Sequence, residues 1–266
     1  MISRLAHPVR NLGFGTRAGI WTQGCTLRCA GCMSRDTWGF RADRELPVEE
    51  IGAWLLALPG ELDGVTVSGG EPTEQPELPG LLAMLRCLGK ARREDWDLLV
   101  FTGLEEDVAA REHPWLGELA DIVVAGPFVQ ELAGDHWLRG SGNQVLLRHT
   151  PLAGERYPGP PRERPGLDFA VADGQLWLTG IPRPGELEDL HDHLSAEGIH
   201  LRQTSWKGNR HGTDLPQLRG DLPGRQGSLP QRPHPDGHPR TEPGADDRTG
   251  TELQRSEERR VGKECR

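Results

Sequence analysis

Three cysteines within one short segment carry the strongest chemical signal in this chain. Cys25, Cys29 and Cys32 follow the spacing C-x-x-x-C-x-x-C. Cysteine thiolates hold iron–sulfur clusters, and ordinary electron-carrier clusters use four of them. Three thiolates from one loop suit three corners of a cubane cluster and leave one iron open. An open iron can bind a substrate or a cofactor, so the spacing predicts more than electron transfer.

A zinc site is the alternative interpretation of the same cysteines. It needs a fourth ligand, and His191 or His193 could supply one. Structural zinc sites usually draw on two ligand pairs, often of the form C-x-x-C. The sequence contains one cysteine triplet and no second pair of this kind, which favours iron over zinc.

A second candidate binding segment is Gly69-Gly70-Glu71-Pro72, which directly follows the β-branched run 64–68. Glycines allow a ligand to approach the backbone, and a carboxylate can accept hydrogen bonds from an ammonium group. On its own, Gly-Gly-Glu-Pro is typical of a turn. After a predicted strand, and following the cysteine triplet, it predicts a site for an amino group.

The elements that must position these two segments alternate along the chain. Residues 1–206 have the pattern of an α/β domain. Apolar or β-branched runs predict strands at 18–22, 64–68, 97–102 and 121–125. Apolar residues at helical spacing predict helices at 47–58, 78–93 and 105–119. Such alternation is typical of parallel βαβ units. Farther on, we expect a hairpin at 167–179, a helix at 186–197 and a last strand at 199–203.

The charge and the hydrophobicity of the chain argue against several classes of function. The 266 residues carry a formal net charge of -9, which argues against a nucleic-acid-binding protein. No apolar run approaches the roughly 18 residues of a membrane span. The N-terminus lacks the apolar region of a signal peptide. We therefore expect a cytoplasmic protein that binds neither nucleic acid nor membrane.

The character of the sequence changes after Trp206. Between residues 207 and 254 there is no Val, Ile, Phe, Trp, Tyr, Met or Cys. A segment of this composition cannot bury enough apolar surface to offset its ordering entropy. It is interpreted as a disordered tail or as an out-of-frame reading of GC-rich DNA. Residues 255–266 resemble the translation of a sequencing adapter and are excluded from fold reasoning.

In this order and separation, the two motifs resemble those of the radical S-adenosylmethionine (SAM) superfamily. Within it, the chain is similar to the activating proteins of anaerobic ribonucleoside-triphosphate reductase over roughly residues 5–148. The segments that carry the resemblance are 12–24, 29–32 with 36–38, 99–103, 121–128 and 140–144. Three features depart from the common pattern. Gly31 stands where many radical SAM enzymes have an aromatic residue, Met33 stands where these activases often have one, and the region after Thr150 is longer than in a minimal activase.

The resemblance implies a mechanism and a fold. Cys25, Cys29 and Cys32 would ligate a [4Fe-4S] cluster whose open iron chelates SAM, and the Gly69–Pro72 motif would orient the SAM amino group. Reductive cleavage would give a 5′-deoxyadenosyl radical. That radical would take hydrogen from a glycine of an anaerobic (class III) ribonucleotide reductase. A flavodoxin-type protein is the expected reductant. The implied fold is a partial (β/α) barrel with a mainly parallel sheet, open on one side.

Other interpretations remain beside this one. The chain could be a radical SAM enzyme acting on another peptide or small molecule, or a non-catalytic iron–sulfur protein. Thr102 and Asn143 are further candidates for lining the SAM or partner side, although hydrogen bonding within turns is their more ordinary role.

Overall fold

A six-stranded sheet underlies the computed structural model, which describes residues 1–92, 95–161, 163–172 and 174–206. The strands lie in sequence order, β1 to β6. The four middle strands are parallel, whereas β1 and β6 run antiparallel at the two edges. Their bounds are β1 Ile2–Val9, β2 Arg17–Thr22, β3 Gly64–Gly69, β4 Asp97–Thr102, β5 Ile122–Ala125 and β6 Val145–Arg148.

The middle strands are buried because both faces of the sheet are covered. Every residue of β2 and of β5 is buried. This explains why these strands appear in the sequence as continuous apolar or β-branched runs rather than as alternating patterns. The sheet is mixed, and its mostly parallel character confirms the expected α/β class.

The helices follow the strands in alternation. They are α1 Val48–Leu56, α2 Leu78–Arg92, α3 Glu106–Glu112 and α4 Trp115–Leu119. Helix α2 packs against both α1 and α4. Proline lacks the N–H that would continue a helix, and Pro114 accordingly separates α3 from α4 within the predicted helix 105–119.

Four further elements follow β6 among the described residues. They are α5 Pro151–Arg156, the hairpin of β7 Asp168–Ala172 and β8 Gln175–Thr179, and α6 Glu186–Ala196. The hairpin and α6 confirm the predictions for residues 167–179 and 186–197. The strand predicted at 199–203 is wrong: that run forms no strand, and Ile199 is 53% exposed, so it offers no buried face to a sheet.

Two expectations fall outside what the structure describes. The tail at 207–254 and the adapter-like segment at 255–266 both lie beyond the described residues. Among the helices that the structure does describe, none combines the length and apolar character needed to cross a membrane.

A buried ion cluster fixes the amino-terminal ends of the parallel strands. Arg17 and Asp97 are the first residues of β2 and β4, and both side chains are fully buried. Arg17 Nη2 lies 2.6 Å from Asp97 Oδ1. Tyr157 donates its hydroxyl to the same oxygen at 3.1 Å, and Arg17 Nε donates to Thr66 Oγ1 at 2.7 Å. The chain that follows α5 is thereby tied to the base of the sheet.

Asp97→Ala tests this cluster. Removing the carboxylate leaves the Arg17 guanidinium buried without its charge partner, which should lower the free energy of unfolding by about 3–5 kcal/mol. Urea denaturation measures the loss. Asp107→Ala is the control, because Asp107 lies 3.8 Å from Arg111 in an exposed pair, and such a pair contributes about 0.5 kcal/mol. Similar losses in the two variants would contradict the role assigned to Asp97.

Candidate functional site

The cysteine loop begins where β2 ends, at the carboxyl edge of the parallel strands, which is the edge where α/β proteins bind ligands. Two backbone hydrogen bonds close the loop: Gly24 N donates to Thr37 O at 2.7 Å, and Cys25 N donates to Trp38 O at 3.0 Å. Cys25 is buried, Cys29 and Cys32 are half-buried, and all three thiols are free.

Two residues in the left-handed backbone conformation shape the loop between its cysteines. Arg28 has φ 48° and Gly31 has φ 75°. Cys32 N donates to Cys29 O at 3.2 Å and closes the turn between the last two cysteines. A Cβ on Gly31 would lie 2.6 Å from the side-chain oxygen of Gln130. The left-handed backbone conformation favours glycine at position 31, and a side chain there would also displace the Gln130 side chain.

The environment of the thiols suits metal ligation. Burial raises the pKa of the Cys25 thiol, and burial likewise raises the pKa of the Cys32 thiol. A buried thiolate is unfavourable unless a positive charge stabilises it. These cysteines would therefore be deprotonated most readily when a cation is present.

The glycines of the second motif allow it to touch the cysteine loop. Gly70 N donates to Thr22 O at 2.9 Å, and Glu71 N donates to Gly24 O at 2.9 Å. A Cβ on Gly70 would overlap the carbonyl oxygen of Gly24, and one on Gly69, which has φ 110°, would overlap the backbone of Thr22. The two sequence motifs are therefore joined directly by their backbones, and side chains at 69 and 70 would separate them.

Glu71 is buried, and its carboxylate is extensively hydrogen-bonded within the protein. Oε1 accepts from Thr73 N at 3.0 Å, from Thr73 Oγ1 at 2.7 Å and from Thr102 Oγ1 at 2.8 Å. Oε2 accepts from Gly103 N at 2.7 Å. One acceptor position therefore remains on Oε2. The side chain links the turn after β3 to the end of β4.

One cavity of about 650 Å³ brings the predicted residues together. All three cysteines line it, as do Gly69, Gly70 and Glu71. Pro72 does not line it; it is buried and begins a short 3-10 turn, Pro72–Glu74. Pro72 thus shapes the turn that presents Glu71.

Thr102 and Asn143 differ in their position relative to the cavity. Thr102 lines the cavity, donates to Glu71 and accepts from Leu104 N at 3.2 Å. Asn143 is not among the lining residues, and its side-chain amide donates to Pro127 O at 2.8 Å. The Thr102 side chain therefore links the end of β4 to Glu71, and the Asn143 side chain links its loop to Pro127.

His191 and His193 are the candidate fourth ligands of the zinc alternative. His191 lies beside Asp192, with Nδ1 3.3 Å from Oδ1, and the His193 ring contacts the Asp189 carbonyl at 2.7 Å. Neither histidine lines the cavity that contains the cysteines.

Another part of the cavity wall is formed by residues that no sequence motif predicted. It is formed by the end of β8 and the start of α6, residues 178–188. Arg4 Nη2 donates to Leu178 O at 3.1 Å, and Asn11 Nδ2 donates to Thr179 O at 2.9 Å. Asp135 Oδ1 holds Arg183 Nε at 3.0 Å. These partners are far apart in sequence, and no local pattern signals their contact.

The residues present fit a [4Fe-4S] cluster and SAM. Three free thiols of one loop face one cavity, and no fourth cysteine lines it among the described residues. This donor set matches a cubane cluster with one open iron. Beside it, Gly69 and Gly70 expose backbone without side chains, and Glu71 keeps one acceptor position, as an amino group would require.

Comparisons with known proteins agree with this geometry. Residues 11–147 match the family model described as a 4Fe-4S single cluster domain. The anaerobic ribonucleoside-triphosphate reductase-activating protein of Salmonella typhimurium is 31% identical over 50% of this chain and 89% of its own length. The protein of the same name from Pasteurella multocida is 33% identical over 52% and 90%, respectively. The pyruvate formate-lyase-activating enzyme of Clostridium pasteurianum is 38% identical over 29% of this chain and 36% of its own.

Glu71→Gln tests whether the hydrogen bonds of the Glu71 carboxylate stabilise the fold. A glutamine amide has only one acceptor oxygen. Whichever way the amide is turned, its NH₂ would face the N–H of either Thr73 or Gly103, and one of these donors would lose its acceptor. The unsatisfied donor should lower the free energy of unfolding by about 1–3 kcal/mol, measured by urea denaturation. Glu77→Gln, at an exposed position, should change it by less than about 0.5 kcal/mol. An unchanged stability in Glu71→Gln would show that the network is not needed for folding.

Proposed function

Because the chain belongs to the 4Fe-4S single cluster domain family and is related to radical SAM activases along most of their length, we propose that it is a glycyl-radical activating enzyme. Its substrate would be an anaerobic ribonucleotide reductase, the enzyme named in the Salmonella and Pasteurella relatives. The observation that carries the proposal is the single cavity lined by the three cysteines and by Gly69, Gly70 and Glu71.

Each motif has a separate task in this proposal. Cys25, Cys29 and Cys32 hold the cluster. The Gly69–Gly70 backbone and the free acceptor position of Glu71 orient the SAM amino group, and Pro72 fixes the turn. When bound, the cluster and SAM supply reductive cleavage to a 5′-deoxyadenosyl radical, which can abstract hydrogen from a glycine.

The protein would exclude water from the cavity and would hold the reacting groups in fixed positions. Trp21, Trp38 and Phe101 line the cavity beside the motifs and present apolar surface to it. Excluding water from such a site prevents side reactions of a reactive intermediate. The backbone contact between Gly24 and Glu71 keeps the cysteine loop and the amino-group site at a fixed separation.

The proposed fold is a partial (β/α) barrel. Its support is the sequential order of β2, β3, β4 and β5, all parallel. A doubly wound sheet reverses its strand order at a switch point, and no reversal occurs among these four strands. A partial barrel would leave an open side through which a glycine loop could enter. We propose a flavodoxin-type reductant and a cytoplasmic location for the same reaction.

A second candidate function keeps the chemistry and changes the substrate. The family match ends at residue 147, whereas residues 178–188 form a wall of the cavity. A wall built outside the matched region alters what can reach the cysteine loop, which favours a radical SAM enzyme acting on another peptide or on a small molecule as the second candidate.

Cleavage of SAM is the first test. The full chain is reconstituted anaerobically with iron and sulfide, reduced with dithionite and mixed with SAM, and 5′-deoxyadenosine is quantified. The unaltered chain should form it, whereas Cys29→Ala should assemble no stable cluster and form none. Asp107→Ala is the control, since Asp107 is exposed on α3 and does not line the cavity. Retained cleavage in Cys29→Ala would overturn the cluster assignment.

The substrate is tested by adding the anaerobic ribonucleotide reductase of the same organism. A glycyl radical detected on the reductase by electron paramagnetic resonance supports the activase. Cleavage of SAM without this radical favours the second candidate. A cluster that assembles without any SAM cleavage would identify a non-catalytic iron–sulfur protein.

Deleting residues 207–266 tests the proposed domain limits. We propose that residues 1–206 are the radical SAM domain, that 207–254 are a disordered or frameshifted tail and that 255–266 are an adapter-derived artefact. The shortened chain should then cleave SAM at the rate of the full chain within about twofold, because it retains every proposed site residue. A loss of more than about tenfold would show that the tail contributes to the reaction.

A further inference from the structure

Arg4 places a positive charge without an ion-pair partner in the wall of the cavity. It lies on β1, outside residues 11–147 that match the family model, and it lines the cavity together with the three cysteines. Among the described residues, none forms an ion pair with it. Burial lowers the pKa of the Arg4 guanidinium, and the charge of Asp36 opposes this effect only in part. Arginine nevertheless stays charged at neutral pH.

Two indole rings hold the Arg4 side chain in place. Its guanidinium carbon lies 4.4 Å from the ring centroid of Trp21, its cross-strand neighbour on β2, and 5.5 Å from the ring centroid of Trp177 on β8. Arg4 Nη2 donates to Leu178 O at 3.1 Å. The guanidinium is therefore fixed by two rings and one hydrogen bond before any ligand binds, which lowers the entropy cost of binding one.

These structural contacts use only part of the hydrogen-bonding capacity of Arg4. A guanidinium carries five N–H donors, and within the described part of the chain the hydrogen bond to Leu178 O is the one that the side chain makes. Its Nε is buried and has no acceptor there. A buried donor without an acceptor destabilises a fold, so the remaining N–H groups of Arg4 are suited to a ligand that accepts hydrogen bonds.

The other two arginines that line the cavity among the described residues already have partners. Arg183 Nε lies 3.0 Å from Asp135 Oδ1, and Arg35 Nε donates to Cys32 O at 3.3 Å within the cysteine loop. Glu71, which keeps an acceptor position for an amino group, follows β3, whereas Arg4 lies on β1 with β2 between them. The cavity therefore offers an acceptor for a cation on one side of β2 and an unpaired cation on the other.

We propose that the Arg4 guanidinium binds a carboxylate of the substrate. The inference deepens the proposed function and rests on it, because it assigns a chemical class to the molecule that enters the cavity. In that function the amino and carboxylate groups of SAM bind at the open iron, so Arg4 is left for another anion. A guanidinium matches the geometry of a carboxylate and binds it through charge-assisted hydrogen bonds. The carboxylate belongs either to an acidic side chain of a polypeptide or to a small organic acid.

Two pairs of matched probes test for recognition of a carboxylate. The reconstituted full chain is saturated with SAM without reductant and titrated by calorimetry with acetyl-Gly-Asp-Gly-amide, its Asn counterpart, succinate and neutral succinamide. In at least one pair the acid should bind about tenfold or more tightly than the amide, because hydrogen bonds between charged groups are stronger than neutral ones. A preference in the first pair identifies a polypeptide, and one in the second pair a small acid. Equal affinities within both pairs overturn the proposal.

Arg4→Gln tests whether Arg4 causes the preference. Glutamine keeps an N–H donor but removes the positive charge, so the acid and the amide should then bind within about twofold of each other. Arg183→Gln is the matched control, because Arg183 lines the same cavity and its charge is paired with Asp135. This control should keep the preference for the acid. A preference that persists in Arg4→Gln, or that is lost equally in both variants, overturns the proposal.

A further measurement on the unaltered full chain applies if Arg4→Gln does not fold. Phenylglyoxal modifies accessible guanidinium groups, and mass spectrometry of peptides gives the rate at each arginine. The preferred acid, at several times its Kd, should slow modification of Arg4 at least about threefold relative to its amide, and the rate at exposed Arg111 should not change. Absence of this protection, or full protection by SAM alone, overturns the proposal. None of these readouts requires SAM cleavage, so failure of the proposed function would be recognised separately.

Discussion

The close backbone contact between the cysteine loop and the turn after β3 is the constraint on which the rest of the site depends. Glu71 N donates to Gly24 O, and Gly70 N donates to Thr22 O. Because Gly69 and Gly70 have no side chains, the carboxyl ends of β2 and β3 can approach within hydrogen-bond distance. Two motifs that lie about 40 residues apart therefore act as one rigid element.

Glu71 extends this element to the next strand. Its carboxylate accepts hydrogen bonds from Thr73, Thr102 and Gly103, so the ends of β3 and β4 share one buried acceptor. The same side chain would face the SAM amino group in the proposed reaction. A group fixed by several neighbours holds its remaining acceptor position in one direction, which is what recognition of a small cation requires.

The two ends of the parallel sheet have different tasks. At the amino ends, Arg17 and Asp97 form a fully buried ion pair that Tyr157 completes. At the carboxyl ends, the cysteines and Gly69–Glu71 surround an open cavity. The strongest buried charge pair thus lies at the end of the sheet opposite the site. The site itself contains exposed backbone and partly buried thiols, which contribute less to stability.

Patterns along the chain were enough to propose the site residues and to predict most of the strands and helices. Cys25, Cys29 and Cys32 were identifiable because ligand spacing within one loop is a local property, and Gly69–Glu71 because the motif follows a clear strand signal. The middle strands and the helices were predictable for the same reason, since their apolar runs are continuous in the chain. The predicted strand at 199–203 failed because a short apolar run forms a strand only when a neighbouring strand is available.

The residues that complete the cavity from distant parts of the chain were visible only in the folded structure. The antiparallel edge strand β1 brings Arg4 to Leu178, and the pair of Asp135 and Arg183 holds the wall formed by 178–188. The hydrogen bond from Cys25 N to Trp38 O likewise depends on how the loop folds back on itself. These contacts join residues through packing rather than through spacing, so no pattern along the chain could have shown them.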